Sequence, residues 1–527
     1  MPSELAVAEL PLGPDGLNGS NNPSVLKPTE LTRALNISYQ GGALRKEGGA
    51  SKYTPTVLSG APSIIGGMDW RYDGITQRSI IITSAGAILK DSGTGAYGTT
   101  LKSGLTVTDI SPRFCEAGKE VAANNRKLFI FTGKNAVQVL SADGATTTDL
   151  ATPPADWTAG KPTFGTPHDG HIWAGGNTND PHRIYYSTLT NHEDFTGAGS
   201  GSISVFPGEG ERLVGAISFK GLLIAFKYPN GIYAIDTTSP TIGNWRVNKS
   251  SGTVGLANEN AFAEISDDII AILTPNADLR ILQGSDFFGK FSATSITDSR
   301  YINEFLRREL QYQYSAKWRL CWYQPKRELH LACTSKDSTT NDARLVVDVT
   351  FTGNPRWRYS TRDKCISMWT RVGPNTLAQM MSGDDAGFVW LMDTDTRSKD
   401  GAGYTGEFKT AETDLSHIEP RLATQRKNGK FIELTMEPVG NWDILVEVHW
   451  DGKYTQTVSF NMGTTGAVLG SFILGTDRLG GGQLLQKKRR ITGSGRRISI
   501  VGKNNQPAQD FALSRMLLHY KTGSDKV

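Results

Sequence analysis

Short apolar runs rich in Ile, Val, Phe and Tyr, broken by Gly, Asn, Asp and Pro, fill most of the chain and predict strands joined by turns. One unit recurs: an apolar strand, a polar turn, a second apolar strand. It stands at 79–90 (SIIITSAGAILK), at 127–140 (KLFIFTGKNAVQVL) and at 171–187, which turns through GGNTNDPH. It returns at 221–236 (GLLIAFKYPNGIYAID), where Asn230-Gly231 is a strong hairpin signal. Further copies lie at 268–282, at 328–349 with a long polar turn, and at 376–393 (TLAQMMSGDDAGFVWLMD). The seven turn centres fall 44 to 62 residues apart. A period of ~40–50 residues with a hairpin in each unit predicts a β-propeller, each hairpin being the middle of a four-stranded blade. The blade count expected is about seven. A string of β-sandwich domains is the competing reading of the same strands.

Two stretches stand outside the repeat. Residues 1–60 are rich in Gly, Asn and Pro, with few apolar runs before Leu35, and read as an extended N-terminal arm. The segment 298–315 carries Ile302, Phe305, Leu306 and Leu310 at helical spacing and reads as a helical insertion in a propeller spanning 61–400. Around 395–405 the chain turns polar and Gly-rich, as a linker would. Long alternating strands at 430–437, 444–450, 454–460, 496–501 and 512–521 then predict a C-terminal β-sandwich domain over 401–527. The whole is an all-β chain.

Composition narrows the function. The 527 residues carry 56 Lys and Arg against 52 Asp and Glu, a balance unlike the large basic excess of a dedicated polyanion binder. Cys115, Cys321, Cys333 and Cys365 are scattered without a CxxC pair, so they read as reduced structural thiols. The first residues, MPSELAVAELPLGPDG, lack the basic start and apolar run of a secretory signal, and no apolar stretch reaches the ~18 residues of a membrane span, so a soluble, unexported protein is expected.

Candidate chemistry is sparse. His168, His171 and His182 cluster in sequence, but H-x-x-H in a loop without Cys or Glu at suitable spacing reads as turn residues. Asp393, Asp395 and Asp400 begin a calcium-loop pattern that fails at Arg397, Ser398 and Tyr404. The turn from Ser382 to Trp390 resembles a single displaced Asp-box, in which Asp384 and Asp385 would cap a hairpin and Trp390 fill the space between blades. Gly208, Gly210 and Gly215 loosely follow phosphate-loop spacing without its strand-to-helix context. No catalytic, cofactor or metal residues are therefore expected. The densest basic patch, Lys487, Lys488, Arg489 and Arg490 with Arg496, Arg497 and Lys503, reads equally as a subunit or DNA contact and as an edge strand protected against aggregation.

Several stretches resemble the tail hub or nozzle (tail tubular) proteins of short-tailed bacteriophages. They are NNPSVLKPTELTRALNISYQGGALRKEGGASKY (21–53), the region 170–236 with HIWAGG and RIYYST, the region 252–310 opening GTVGLANENAF, and GRRISIVGKNNQPAQDFALSRMLLHYK (495–521). The resemblance implies a virion structural protein assembled in the host cytoplasm, not an enzyme. It implies a ring, expected as a homohexamer, below the phage portal and adaptor proteins. Tail fibre or spike proteins would be further partners, and genome DNA would leave through the central channel. The alternatives are a propeller-type glycan-degrading tail protein, which needs a carboxylate pair in a cleft, and a receptor-binding propeller without catalysis.

Overall fold

The computed structural model describes every residue except 1–4, 21, 23–25, 73–75, 92, 108–111, 118–125, 142–143, 285–290, 351–353, 374–376, 464–483 and 524–527. Parts of the expected arm, of the last sequence repeat and of the expected C-terminal domain thus lie outside the described residues.

The hairpin units fold into a β-propeller. Among the described residues, six antiparallel four-stranded sheets stand free as blades, where about seven were expected. We number them I (64–102), II (113–149), III (164–204), IV (212–251), V (262–295) and VI (367–394 with 49–52). The remaining hairpin unit, 319–360, sits between blades V and VI but is not a separate sheet. Its outer strand Arg356–Ser360 pairs onward with Leu31–Leu35, so the unit opens a nine-stranded sheet. We call it the bridging unit.

Blade packing explains why the second strands are continuous apolar runs. Such a strand is covered on both faces, so neither parity can be polar. In Lys127–Phe131 of blade II, Leu128 and Ile130 meet Trp70, Ile80 and Ile82 of blade I. Phe129 and Phe131, on the other face, meet Ile172 and Ala174 of blade III. Each such side chain contributes ~1.5–3 kcal/mol by leaving water. The predicted helix is present as Ile302–Glu309, flanked by short 3-10 turns, and buries Ile302, Phe305 and Leu306.

The first 60 residues are not a free arm. Gly49–Lys52 is the outer strand of blade VI, paired with Val389–Thr394, so the N-terminal segment closes the ring. Gly49 is required there, because a Cβ would stand 2.3 Å from the Ser398 carbonyl oxygen. Ala6–Glu9 pairs with Ala512–Thr522, and Ile37–Gln40 and Ala43–Lys46 lie in the same seven-stranded sheet. Window-based reading misses this because Ala6 pairs with Tyr520, a partner at the far end of the sequence.

The C-terminal strands fall into two sheets. Lys427–Met436, Leu485–Arg490 and Ala512–Thr522 join the seven-stranded sheet. Gly406–Thr410, Ile498–Asn504, Asp443–Trp450 and Lys453–Asn461 continue the nine-stranded one. One apolar cluster holds residues of both, including Ile432, Leu434, Val446, Val448 and Phe511. The expected linker is tied down: Arg397 pairs with Asp510 at 3.0 Å, and the Ser398 carbonyl accepts the Ala50 N–H. No helix among the described residues is long and apolar enough to cross a membrane.

Candidate functional site

The innermost strands surround the propeller axis. A cavity of about 490 Å³ there is lined from blades I, II, V and VI and the bridging unit, through Gly67–Asp69, Arg113, Glu264, Arg319 and Trp369 among others. The inner strands approach closely because Gly67 faces an aromatic ring; a Cβ would stand 2.6 Å from Trp369. Toward the C-terminal ends of these strands a space of about 410 Å³ follows, lined by Asp69, Arg71, Glu116, Arg126 and Arg371. At the opposite end about 480 Å³ opens between Ile65, Lys317, Arg319 and Asn341.

The axis is not an open bore. Blades II and V are not neighbours in the ring, yet the Arg113 guanidinium lies 4.4 Å from the centre of the Phe262 ring. The Asn260 amide also donates to the Pro112 carbonyl at 3.3 Å. These volumes suit small ligands. They do not suit a duplex whose major groove alone is ~12 Å wide.

Two arginines dominate the charge of the cavity. Arg319 donates through Nη2 to the Ile65 carbonyl at 2.6 Å. Burial pushes its guanidinium down to about 10; Glu259 opposes that shift and Arg113 adds to it. Burial lowers Arg113 as well. Asp69 is raised by burial, while its oxygens accept from Gln77 Nε2 at 2.6 Å and the Val372 N–H at 3.1 Å.

The structure separates the histidines of the sequence cluster. His168 and His171 flank the first turn of blade III and line a small cavity of about 230 Å³ with Ser218 and His192. His168 bonds Ser218 and Thr237 at 2.8 and 2.9 Å, and His171 donates to the Ser187 carbonyl at 2.5 Å. Burial lowers both rings, which favours the neutral form. His182 stands elsewhere, 3.0 Å from Lys227 Nζ. No group of three or more potential metal ligands occurs among the described residues.

Other motif residues have structural partners. Asp384 Oδ1 accepts the Ala386 and Phe388 N–H groups at 2.9 and 2.8 Å, and Oδ2 accepts the Trp390 indole N–H at 2.8 Å. Trp390 packs with Cys321 and Met380 between the bridging unit and blade VI. The glycine loop near 208 wraps a buried amine: Lys227 Nζ donates to the carbonyls of Phe206 and Glu209 at 2.9 and 2.6 Å. Asp393 pairs with Lys326 at 2.5 Å. All four cysteines are buried and none is in a disulfide.

The basic run forms the edge strand Leu485–Arg490 of the seven-stranded sheet. Lys488, Arg489 and Arg490 are exposed there, Lys487 is half-buried, and Arg496 and Arg497 are exposed on a neighbouring turn. Lys488 donates to His519 Nδ1 at 3.2 Å, and His519 Nε2 donates to Glu433 at 2.9 Å. Arg489 Nε donates to the Ser459 carbonyl at 3.1 Å, linking this edge to Lys453–Asn461, the edge of the other sheet. Tyr454 and Leu445 are exposed on strands at or beside these edges, and Leu484 directly precedes the basic strand.

Sequence reasoning missed a buried charge network beside the closing strand. Glu47 meets Arg344 at 2.8 Å and Arg358 at 3.6 Å. Arg358 forks onto Glu328 at 2.8 and 2.7 Å, and Arg362 meets Asp363 at 2.6 Å. Burial alone would raise the Glu47 carboxyl, but Arg344, Arg362 and Arg358 outweigh it and hold the group at about 2. His330, 3.2 Å from Glu328, is pushed down to about 4, chiefly by burial. The available signal was a charged residue at an inward strand position, as with Arg358 between Trp357 and Tyr359.

No protein-family model and no curated protein matches this sequence. Solved β-propellers are similar to it at low identity. YCF48 from Cyanidioschyzon merolae is 9% identical, with 65% of this chain and 98% of that chain covered at a TM-score of 0.39. The WD40 β-propeller domain of Doa1 is 10% identical, with 65% and 96% covered at 0.40. The Cps50 (Swd1) propeller domain of Myceliophteria thermophila is 9% identical, with 64% and 99% covered at 0.39. These likenesses concern the propeller fold alone.

Proposed function

We propose that this chain is a structural subunit of a short-tailed phage tail, of the hub or nozzle kind, acting through its surfaces and not through chemistry. The resemblance of 21–53, 170–236, 252–310 and 495–521 to that family motivates the reading. The observation that carries it is the interlocking of both chain ends. The N-terminal segment closes blade VI, and its preceding strands are woven into the sheets of the C-terminal strands, here read as a β-sandwich. Such a body transmits load through continuous sheets instead of a hinge.

The basic edge strand with Tyr454 and Leu484 is the surface we assign to ring contacts, through which one copy meets a different face of the next. Because Arg113 and Phe262 bridge the propeller axis, a genome channel would run between copies and not through one propeller. Portal, adaptor and fibre or spike proteins would bind the faces of the ring.

The test is multi-angle light scattering and electron microscopy of the purified protein and of tail particles. Rings are expected, and the triple variant K488E/R489E/R490E is expected to stay folded, by an unchanged melting curve, yet remain monomeric. A protein that never oligomerises and never enters a particle would overturn the proposal. Release of new reducing ends from host polysaccharide would replace it with the glycan-degrading reading.

A further inference from the structure

The geometry points to a binding site on the propeller axis for a small oxyanion of the phosphate class, held between the guanidiniums of Arg113 and Arg319. The cavity is of small-ligand size, about 490 Å³, and both arginines line it. Neither has a carboxylate within ion-pair range among the described residues. Glu259, the acid whose field both arginines feel, is engaged by Arg212 at 3.0 Å.

The rest of the molecule shows how unusual this is. Arg344, Arg358 and Arg362, buried arginines of the network beside the closing strand, each meet a carboxylate at 2.8, 2.7 and 2.6 Å respectively. A largely buried charge without a carboxylate partner, as at Arg319, is costly, and a bound counter-ion removes that cost. Arg319 is 8% exposed and, among the described residues, places a single N–H on a protein acceptor, the Ile65 carbonyl. The rest of its five donors remain for a ligand. Arg113 is half-buried, makes no side-chain hydrogen bond to protein among the described residues and rests on the Phe262 ring at 4.4 Å. Two guanidinium forks near one space match the oxygens of a tetrahedral oxyanion, the ligand that arginine binds in bidentate fashion.

Trp369 walls the same space with its ring and is 6% exposed. Two acids also line the cavity and oppose an anion there. Asp69 has its oxygens committed to Gln77 and Val372, and Glu264 is exposed to solvent. The site is independent of the tail reading, since it needs only one folded copy.

The experiment titrates inorganic phosphate into the intact protein at constant ionic strength, following heat by calorimetry and tryptophan fluorescence. Sodium chloride and sodium acetate serve as separate titrants. Saturable phosphate binding is expected, with affinity falling at least ~10-fold in R319Q and in R113Q, the loss of one charge-assisted contact. R319K, which keeps the charge, should retain part of the affinity, and the exposed-site control R421Q all of it; melting curves verify that each variant folds. Replacing phosphate by a short single-stranded oligonucleotide distinguishes a free ion from a nucleic-acid backbone. Only the free ion should reach the site. Absence of saturation, equal effects of chloride and phosphate, or unchanged binding in both glutamine variants would overturn the assignment.

Discussion

Single residues near the ring closure set how the protein responds to acid. His330 sits at about 4 against an ordinary 6.5, so the folded protein keeps it neutral where an unfolded chain would take up a proton. Its stabilising contribution is complete above pH 6.5 and declines as pH falls toward about 4, a loss of roughly 3 kcal/mol over that window. Glu47 adds a second loss of the same sign. Depressed from 4.5 to about 2, it supports the fold fully above 4.5 and ceases to as pH falls toward 2. Melting temperature against pH should therefore drop in two stages, and His330→Gln should flatten the upper stage while leaving the lower one. A melting temperature unchanged between pH 7 and pH 4 would contradict the account. None of these residues stood out in the sequence. Glu47, Glu328, Arg344 and Arg358 meet only after four separate segments fold, and each alone looks like a surface charge.

At the level of strands, the hairpins were legible because their signals are local. Asn230-Gly231 supplies the turn, and runs such as LFIF and LLIAF supply strands covered on both faces. The helix Ile302–Glu309 was legible for the same reason, its apolar positions recurring at its own period. What could not be read was long-range pairing. The polar stretch near 400 has few apolar residues, yet Ala50 donates to Ser398 and Lys399 bridges to Ala50. Blade number was misjudged for a related reason: the bridging unit has a blade's sequence, and only its pairing with Leu31–Leu35 merges it into a larger sheet. The basic edge strand was visible as a charge run, whereas Arg113 and Arg319, far apart in sequence, gave no warning that they share a cavity. The closing strand offers a direct check. Gly49→Val would drive side-chain atoms into the Ser398 carbonyl and should speed proteolytic cleavage near residues 49–52 before any global unfolding. Cleavage at the native rate would show that the strand is not tightly held.

For the molecule as a whole, propeller and C-terminal sheets share strands and a common apolar cluster, so they should not come apart. A fragment ending at residue 400 keeps every strand of blades I to VI but strips Ala6–Glu9 of its partner and Ala43–Lys46 of one of its two. It is expected to be aggregation-prone, because it exposes unpaired strand edges. The intact protein should show one calorimetric transition in place of two. A soluble, sharply melting 1–400 fragment would refute the shared-core picture.

The position of Gly49–Lys52 also fixes an order of events during synthesis. The strand leaves the ribosome before its partner, Val389–Thr394, which emerges about 340 residues later. At ~5–20 residues per second that is a wait of roughly 20 to 70 s. Ala6–Glu9 waits longer still, for Ala512–Thr522. Through that interval the nascent chain carries adhesive β-edges with no mate, at whatever crowding the producing cell imposes. Slow translation or heavy overexpression should therefore favour swapped or clumped chains, and a chaperone that shields the first 50 residues would raise the yield of finished protein.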